Sequence, residues 1–286
     1  MSDRIRQWVI ESDAPAKKEH RQAVHTLLVA IAETGDLRQE MIMKGGILLA
    51  VKFESSRYTT DVDFSTSKKF ADFDETKFLL KLREGLAIAV NKLEYGLDCK
   101  IQSHEVKPAR EDATFQTLKI KIGYAYKGKP KHKRLVANNC PDALKVDYSF
   151  NEYNCKIDTV ELEGEKKIKV YSLADIVGEK YRAIIQQTVR NRERRQDAYD
   201  IYCLIKKGYL EDESIKEVIL KSLIRKSESR GLKVDKKSLE NEDIKKRSKI
   251  DYPTLQLEID GVLPDFEKCY GAVTRYYKSL PWEGRK

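Results

Sequence analysis

The chain has 286 residues, 41% of them hydrophobic and 35% charged, with a formal net charge of +9. That length and balance predict one large or two modest folded domains and exclude an intrinsically disordered chain. No apolar run is long enough to span a bilayer, and the stretch up to Lys18 lacks a signal-peptide core, so the expectation is a cytoplasmic protein with no membrane contact.

The positive excess favours a polyanionic partner such as nucleic acid, although lysine-rich surfaces are also common on ordinary soluble proteins. Cys99, Cys140, Cys155, Cys203 and Cys269 are scattered, with no C-x-x-C pair. That spacing argues against a zinc site and a disulfide framework. His20, His25, His104 and His132 form no ligand spacing, and no Ser/His/Asp or Cys/His nucleophile is legible.

In chain order, residues 17–34 predict a helix with Val24, Leu27, Leu28 and Ile31 on one stripe and Gly35 as its stop. His25 beside that stripe reads as a packing or surface residue. Next comes MKGGILLAVKFESSRYTTDVDFST, residues 43–66. Lys44-Gly45-Gly46 predicts a tight turn opening a short helix, whose N–H groups can meet a phosphate. In the strand that follows, side chains alternate between faces. Asp61 and Asp63 share one face, about 7 Å apart at the backbone, while Val62 and Phe64 share the other. Two carboxylates this close repel unless a cation neutralises them. A hard divalent ion binds such oxygen donors together with phosphate oxygens. A plain reading remains, an acidic turn on an ordinary strand.

KGG, a helix and then R-x-T-x-D-x-D-F resembles the first motif of the DNA polymerase β-like nucleotidyltransferase superfamily, most closely the AbiEii/AbiGii toxins. The superfamily usually has Gly-Ser where this chain has Gly45-Gly46, and the toxins often have Gly-Gly-Thr where it has Ile47. The hydroxyl that would bond a phosphate is absent at both places. Backbone donors, or Thr59 and Thr60, would have to replace it.

Residues 75–97 predict a second long helix, with Phe78, Leu79, Leu82, Leu86, Ile88 and Ala89 as candidate core. Strands are predicted at 100–106 and 115–126, the latter alternating through Leu118, Ile120, Ile122, Tyr124 and Tyr126. KGKPKHKR, residues 127–134, reads as a basic hairpin tip or loop, either solvated or touching RNA phosphates. LKVDYSF, residues 144–150, is a strand with Asp147 on its polar face. The resemblance implies a third metal carboxylate there; otherwise it is an exposed aspartate on an alternating strand.

Glu163-Gly164-Glu165 marks a polar turn and the expected domain boundary. Ser172 to Asp175 fits a capping box, which gives Asp175 a structural role. In the helix that follows, Lys180 falls inside the apolar stripe of Leu173, Ile176, Val177, Ile184 and Ile185, so it must snorkel out or find an anion. GEKYRAI resembles the family's third motif, whose lysine contacts the nucleotide. TVRNRERR, residues 188–195, reads as a dense basic loop. QDAYD resembles the fourth motif, often R-D-x-Y-D, and places Asp197 in the first turn of a helix, where it could instead be a cap or dipole partner. Asp200 is expected to pair with Arg190 or Arg194. Beyond Gly208 the chain reads as helical, with Leu255, Leu257, Ile259, Leu263 and Phe266 expected to pack and a terminal helix at 265–280.

The expected fold is therefore α+β. A mixed-sheet nucleotidyltransferase core, residues 1–164, precedes a mainly helical C-terminal domain, residues 165–286, that completes the active site. The resemblance implies an NTP-dependent transferase using Mg²⁺ or Mn²⁺, held by Asp61, Asp63 and Asp147. Lys44, Gly45, Gly46, Arg57, Thr59 and Lys180 would bind the nucleotide, and Asp197 would orient it or the lysine. It also implies a toxin of a phage-defence or toxin–antitoxin system, with an antitoxin partner and an RNA acceptor such as a tRNA 3′ end. The density of charge in the basic loop, not the resemblance, makes Arg190, Arg192, Arg194 and Arg195 the expected RNA contacts. Two alternatives stand beside it: transfer to a protein or small molecule, and a non-catalytic nucleotide- or RNA-binding module.

Overall fold

Alternating apolar residues set the sheet that carries the first part of the molecule. The structure is a computed structural model describing residues 4–12, 14–110, 113–162 and 166–284. Its elements begin with α1 (Arg4–Ile10), α2 (Pro15–Glu33), α3 (Gly35–Glu40), β1 (Ile42–Lys44), α4 (Gly45–Phe53), β2 (Asp61–Ser65) and α5 (Glu75–Lys92). They continue with β3 (Leu97–Lys107), β4 (Thr117–Tyr126), α6 (Pro130–Val136), β5 (Ala143–Ser149), β6 (Ile157–Glu161) and β7 (Lys167–Tyr171). The α-helices that follow among the described residues are α7 (Leu173–Ile185), α8 (Gln187–Arg190), α9 (Arg195–Lys206), α10 (Glu213–Glu228), α11 (Glu242–Lys249) and α12 (Phe266–Lys278). The mixed α/β fold agrees with the expectation from sequence.

The strands form one mixed sheet in the order β3-β4-β5-β2-β1-β7-β6. β2 runs parallel to β5 and antiparallel to β1, and β1 runs parallel to β7. Leu118, Ile120 and Ile122 of β4 and Leu144, Val146 and Tyr148 of β5 are buried, as their alternation requires. The stripe of α2 is fully buried and packs on α5. Ile88, expected in the core, is 49% exposed instead, because it lies on the outer side of α5.

Two compact units result. One comprises Met1–Glu54, Thr59–Glu152 and Ile157–Val170; the other comprises Ser55–Tyr58, Tyr153–Lys156 and Tyr171–Lys286. The turn expected at residues 163–165 lies outside the described residues. Three strands were not anticipated. β1 has only three residues, and β6 is an edge strand with no buried residue, so neither carries a readable apolar pattern. β7 has only five residues, and its last two lie directly before the helix start that the sequence marks at Ser172.

The basic segment 127–134 is corrected. It is not a loop throughout, because α6 begins at Pro130, whose fixed φ suits a first helical turn. Leu135 on that helix is fully buried with Ala125 and Cys140, and Lys133 and Arg134 sit in its last turn, where the helix dipole favours cations.

In the second unit Ser172 caps α7, accepting from the Asp175 amide at 3.2 Å. The Asp175 carboxylate is fully buried. It accepts from the amides of Cys155 (3.0 Å) and Lys156 (2.8 Å) and from the hydroxyls of Ser222 (2.7 Å) and Ser172 (3.1 Å). It thus ties residues 153–156 to α7 and α10. Gly178 lets α7 approach α10 closely, since a Cβ there would stand 2.9 Å from the Leu223 amide. Leu255, Ile259 and Phe266 are buried as expected, but Leu257 is 90% exposed, because the turn holding it ends there.

Candidate functional site

β2 places its carboxylates as alternation demands. Val62 and Phe64 are buried, Asp61 is exposed and Asp63 half-buried. The sheet register adds neighbours that the sequence alone does not reveal. Asp63 stands opposite Asp147 of β5 and opposite Lys44 of β1, and Asp147 stands opposite Lys119 of β4. With Glu105 of β3 opposite Lys119, a row of five charged residues crosses adjacent strands. Lys119 Nζ donates to both Asp147 oxygens, at 3.1 and 2.9 Å. Lys44 is buried, 4.0 Å from Glu152.

Among the described residues, no three His, Cys, Asp or Glu side chains form a ready-made metal cage. Asp61 and Asp63 give two hard oxygen donors on one strand face, the number magnesium commonly takes from protein beside phosphate oxygens. The pair fits such an ion. Asp147 is at the right register position but is paired with Lys119, and would have to exchange that ammonium for a metal.

The glycine turn is built around Asp63. Gly45 has φ +78°, a left-handed conformation, and a Cβ there would lie 2.1 Å from Asp63 Oδ2. Glycine is required twice over, by the backbone and by the carboxylate crossing it. α4 starts at this residue, and its N-cap Lys44 makes no side-chain cap bond. The Lys44 side chain thus leaves the first-turn N–H groups of α4 to other acceptors, and a helix start of this kind favours an anion. Gly46 and Thr59 are half-buried nearby in sequence, and the Thr60 carbonyl is 3.3 Å from His20 Nε2, which steadies the entry to β2. Gly45→Ala is expected to displace the Asp63 carboxylate and to lower the melting temperature, because both the backbone and the side chain crossing it must give way. A melting temperature equal to the parent's would show that the close approach is incidental.

The second unit holds a separate network of buried charges. Lys180 is only 8% exposed; it does not snorkel. Its Nζ donates to Asp197 Oδ1 at 2.9 Å and to Asp200 Oδ2 at 2.6 Å. Asp200 also accepts a fork from Arg57, Nε to Oδ1 at 2.9 Å and Nη2 to Oδ2 at 3.1 Å. Arg57 Nη1 lies 3.5 Å from Glu258, which in turn accepts from Arg195 at 2.6 Å. Asp200 thus pairs with Arg57 and Lys180, not with Arg190 or Arg194 as expected from sequence. Burial works against the charged forms here, yet the opposite charges outweigh it. The pKa of Lys180 is raised by Asp197 and Asp200, and that of Asp200 is lowered by Arg57 and Lys180. Asp197 differs from Asp200: its Oδ2 is buried with no hydrogen-bond partner, and the Arg194 Nε is 4.0 Å away.

The basic stretch 188–195 is partly helical. α8 runs to Arg190, Asn191 turns left-handed, and Gln187 fixes the return, accepting from the Arg194 amide at 2.6 Å while donating to Ser248 at 2.8 Å. Arg190 and Arg192 are exposed, whereas Arg194 and Arg195 are half-buried and Arg195 is bound to Glu258. Asp200 and Glu258 are the site residues that sequence reasoning missed as partners of Arg57. Asp200 had a usable signal, since it lies three residues after Asp197 and shares its helix face. Glu258 had none.

The sequence matches the model of a family described as nucleotidyl transferase AbiEii toxin, type IV toxin–antitoxin system, over residues 26–272. No curated protein matches the chain. Among solved structures, JHP933 from Helicobacter pylori aligns with a TM-score of 0.51 at 14% identity, covering 94% of this chain and 93% of that one. MenT4, a nucleotidyltransferase toxin from Mycobacterium tuberculosis, aligns with a TM-score of 0.46 at 14% identity, covering 96% and 97%. At such identity the likeness to JHP933 speaks for the fold alone, and the MenT4 value is too low to argue from.

Proposed function

The chain belongs to the AbiEii family of nucleotidyltransferase toxins and is a nucleotidyltransferase; from that premise we propose that it moves a nucleotide from an NTP to a hydroxyl of RNA, such as a tRNA 3′ end, with the help of a divalent ion. The family is that of a toxin–antitoxin system, which implies an antitoxin counterpart. No helix among the described residues is long and apolar enough to cross a membrane.

The observation that carries the reading is the Asp63 carboxylate lying against Gly45 where α4 begins. It puts a metal-type donor and a phosphate-type cradle within one contact of each other. Asp61 and Asp63 would hold magnesium or manganese, with Asp147 joining once released from Lys119. Such an ion stabilises charge on the triphosphate oxygens and on the leaving pyrophosphate. The α4 amides at Gly45 and Gly46 hold triphosphate oxygens, and Thr59 supplies the hydroxyl missing from the turn. Lys180 places a permanent positive charge for the nucleotide, and the uncommitted oxygen of Asp197 accepts a nucleotide hydrogen bond that orients it. Arg57 serves indirectly, because its fork is committed to Asp200.

The RNA assignment rests on Arg190, at the end of α8, and Arg192, on the loop after it; both are exposed, and Gln187 fixes the return of that loop. Arg194 and Arg195 contribute less, since Asp197 and Glu258 compete for them. An Arg190→Ala/Arg192→Ala variant is expected to weaken RNA binding and to reduce the slope of log affinity against log salt by about two, one for each lost phosphate contact. NTP binding should be unchanged. An unaltered salt slope would make this a solvated loop and remove it from the RNA site.

A further inference from the structure

We infer that Asp200 is a positioning residue for nucleotide transfer: through one buried carboxylate it fixes Lys180 and Arg57 and holds the Lys180 ammonium in place. The inference rests on the reading that Lys180 serves the nucleotide.

The division of labour between the two aspartates is visible in their hydrogen bonds. The Asp200 side chain has no exposed surface, and both of its oxygens are used, Oδ1 by Arg57 and Oδ2 by Arg57 and Lys180. It has nothing left to offer a substrate. Asp197 keeps an oxygen with no hydrogen-bond partner. The first is a fastener, the second an acceptor with spare capacity. The fastening joins three places that are distant in sequence: residue 57 before β2, residue 180 on α7 and residue 200 on α9. Backbone pairing extends the tie, since the Tyr58 amide donates to the Glu258 carbonyl at 2.6 Å and Arg57 bridges Ile259.

Lysine has three donors on a flexible stem, and in a buried site its position is set by whatever accepts from it. Here the acceptors are Asp197 and Asp200 on α9. The charged groups around them are Arg57 and, beyond it, Glu258, with Arg194 beside Asp197; Tyr199, Cys203 and Cys269 stand beside Asp200. Removing the Asp200 charge leaves Lys180 with Asp197 alone, against an Arg57 that has lost its principal partner. The ammonium then becomes easier to deprotonate, and the repulsion from Arg57 displaces it. Removing Arg57 acts in the opposite sense, because Arg57 is the nearby cation that disfavours the charge on Lys180.

The test is the titration of Lys180 followed by NMR at its ¹³Cε, assigned with Lys180→Met, in the full chain. In the parent protein the signal should stay in the ammonium position past the ordinary lysine value of about 10.4. In Asp200→Asn its midpoint should fall below that value, and in Arg57→Met it should not fall. Transfer by Asp200→Asn should decline at least about tenfold and gain a falling alkaline limb that the parent lacks, while KM for NTP changes less than kcat. A parental Lys180 that titrates at the ordinary value overturns the inference without any variant, which covers the case of an Asp200→Asn chain that does not fold. A midpoint unchanged in folded Asp200→Asn also overturns it. If instead the midpoint falls as expected but Lys180→Met transfers nucleotide at the parental rate, it is the nucleotide role of Lys180 that fails.

Discussion

Asp63→Asn is expected to abolish nucleotide transfer while leaving the fold and its thermal stability near those of the parent. The substitution keeps the shape of the side chain against Gly45 and removes one of the two negative charges offered to the metal. The lost charge stabilisation is worth several kcal/mol in the transition state, or about a thousandfold in rate. Stability should not suffer, because relieving repulsion between Asp61 and Asp63 offsets any lost contact. Manganese affinity, read by electron paramagnetic resonance, should fall in parallel with rate. Parental turnover by Asp63→Asn with magnesium present would contradict the assignment of β2 as the metal strand.

The second large effect is expected at Lys180→Met, and here the structure changes the expectation. A snorkelling lysine could be exchanged for methionine at no cost. A lysine held by two buried carboxylates cannot, because its loss leaves Asp197 without a cationic hydrogen-bond partner and Asp200 with Arg57 alone. Breaking a buried pair from one side costs about 3–5 kcal/mol. The variant should therefore melt well below the parent and, where still folded, transfer about a hundredfold more slowly, the usual scale for losing one preorganised electrostatic contact. Denaturant unfolding and single-turnover rates at low temperature separate the two losses. Undiminished stability would mean that the ion pairs are not formed in solution. Undiminished turnover in the folded fraction would take Lys180 out of catalysis.

What could be read from sequence was local. Asp61 and Asp63 face one way because Val62 and Phe64 must face the other, and alternation over four residues is enough to say so. Lys180 stood out because a charge inside the apolar stripe of α7 needs a partner, and Ser172 with Asp175 marked the start of that helix. What could not be read was tertiary. Arg57 and Asp200 are separated by 143 positions, and nothing in either neighbourhood names the other. Lys119 lies on the polar face of β4 by alternation, yet its pairing with Asp147 depends on a register that only the assembled sheet sets. The exposed edge strand β6 gave no apolar signal, and the glycine turn conveyed flexibility without revealing that Asp63 occupies the space a Cβ would need.

Burial accounts for the apolar residue at position 47, where a hydroxyl is missing. Ile47 is 1% exposed and belongs to the core side of α4, so a threonine there would gain a phosphate contact only by giving up apolar burial. The backbone amides of the turn and the positive end of α4 remain, and these do not depend on side-chain identity.

On the proposed function, this chain joins a nucleotide to RNA at a site built on Asp61 and Asp63. The most direct test is incubation of the purified protein with total cellular RNA and each α-labelled NTP in turn, with magnesium and with chelator. The account predicts magnesium-dependent label in an RNA band, absent with chelator and absent from Asp61→Asn and Asp63→Asn. Label that appears only on protein or on a small molecule, or no transfer from any NTP while the protein is folded, would contradict it.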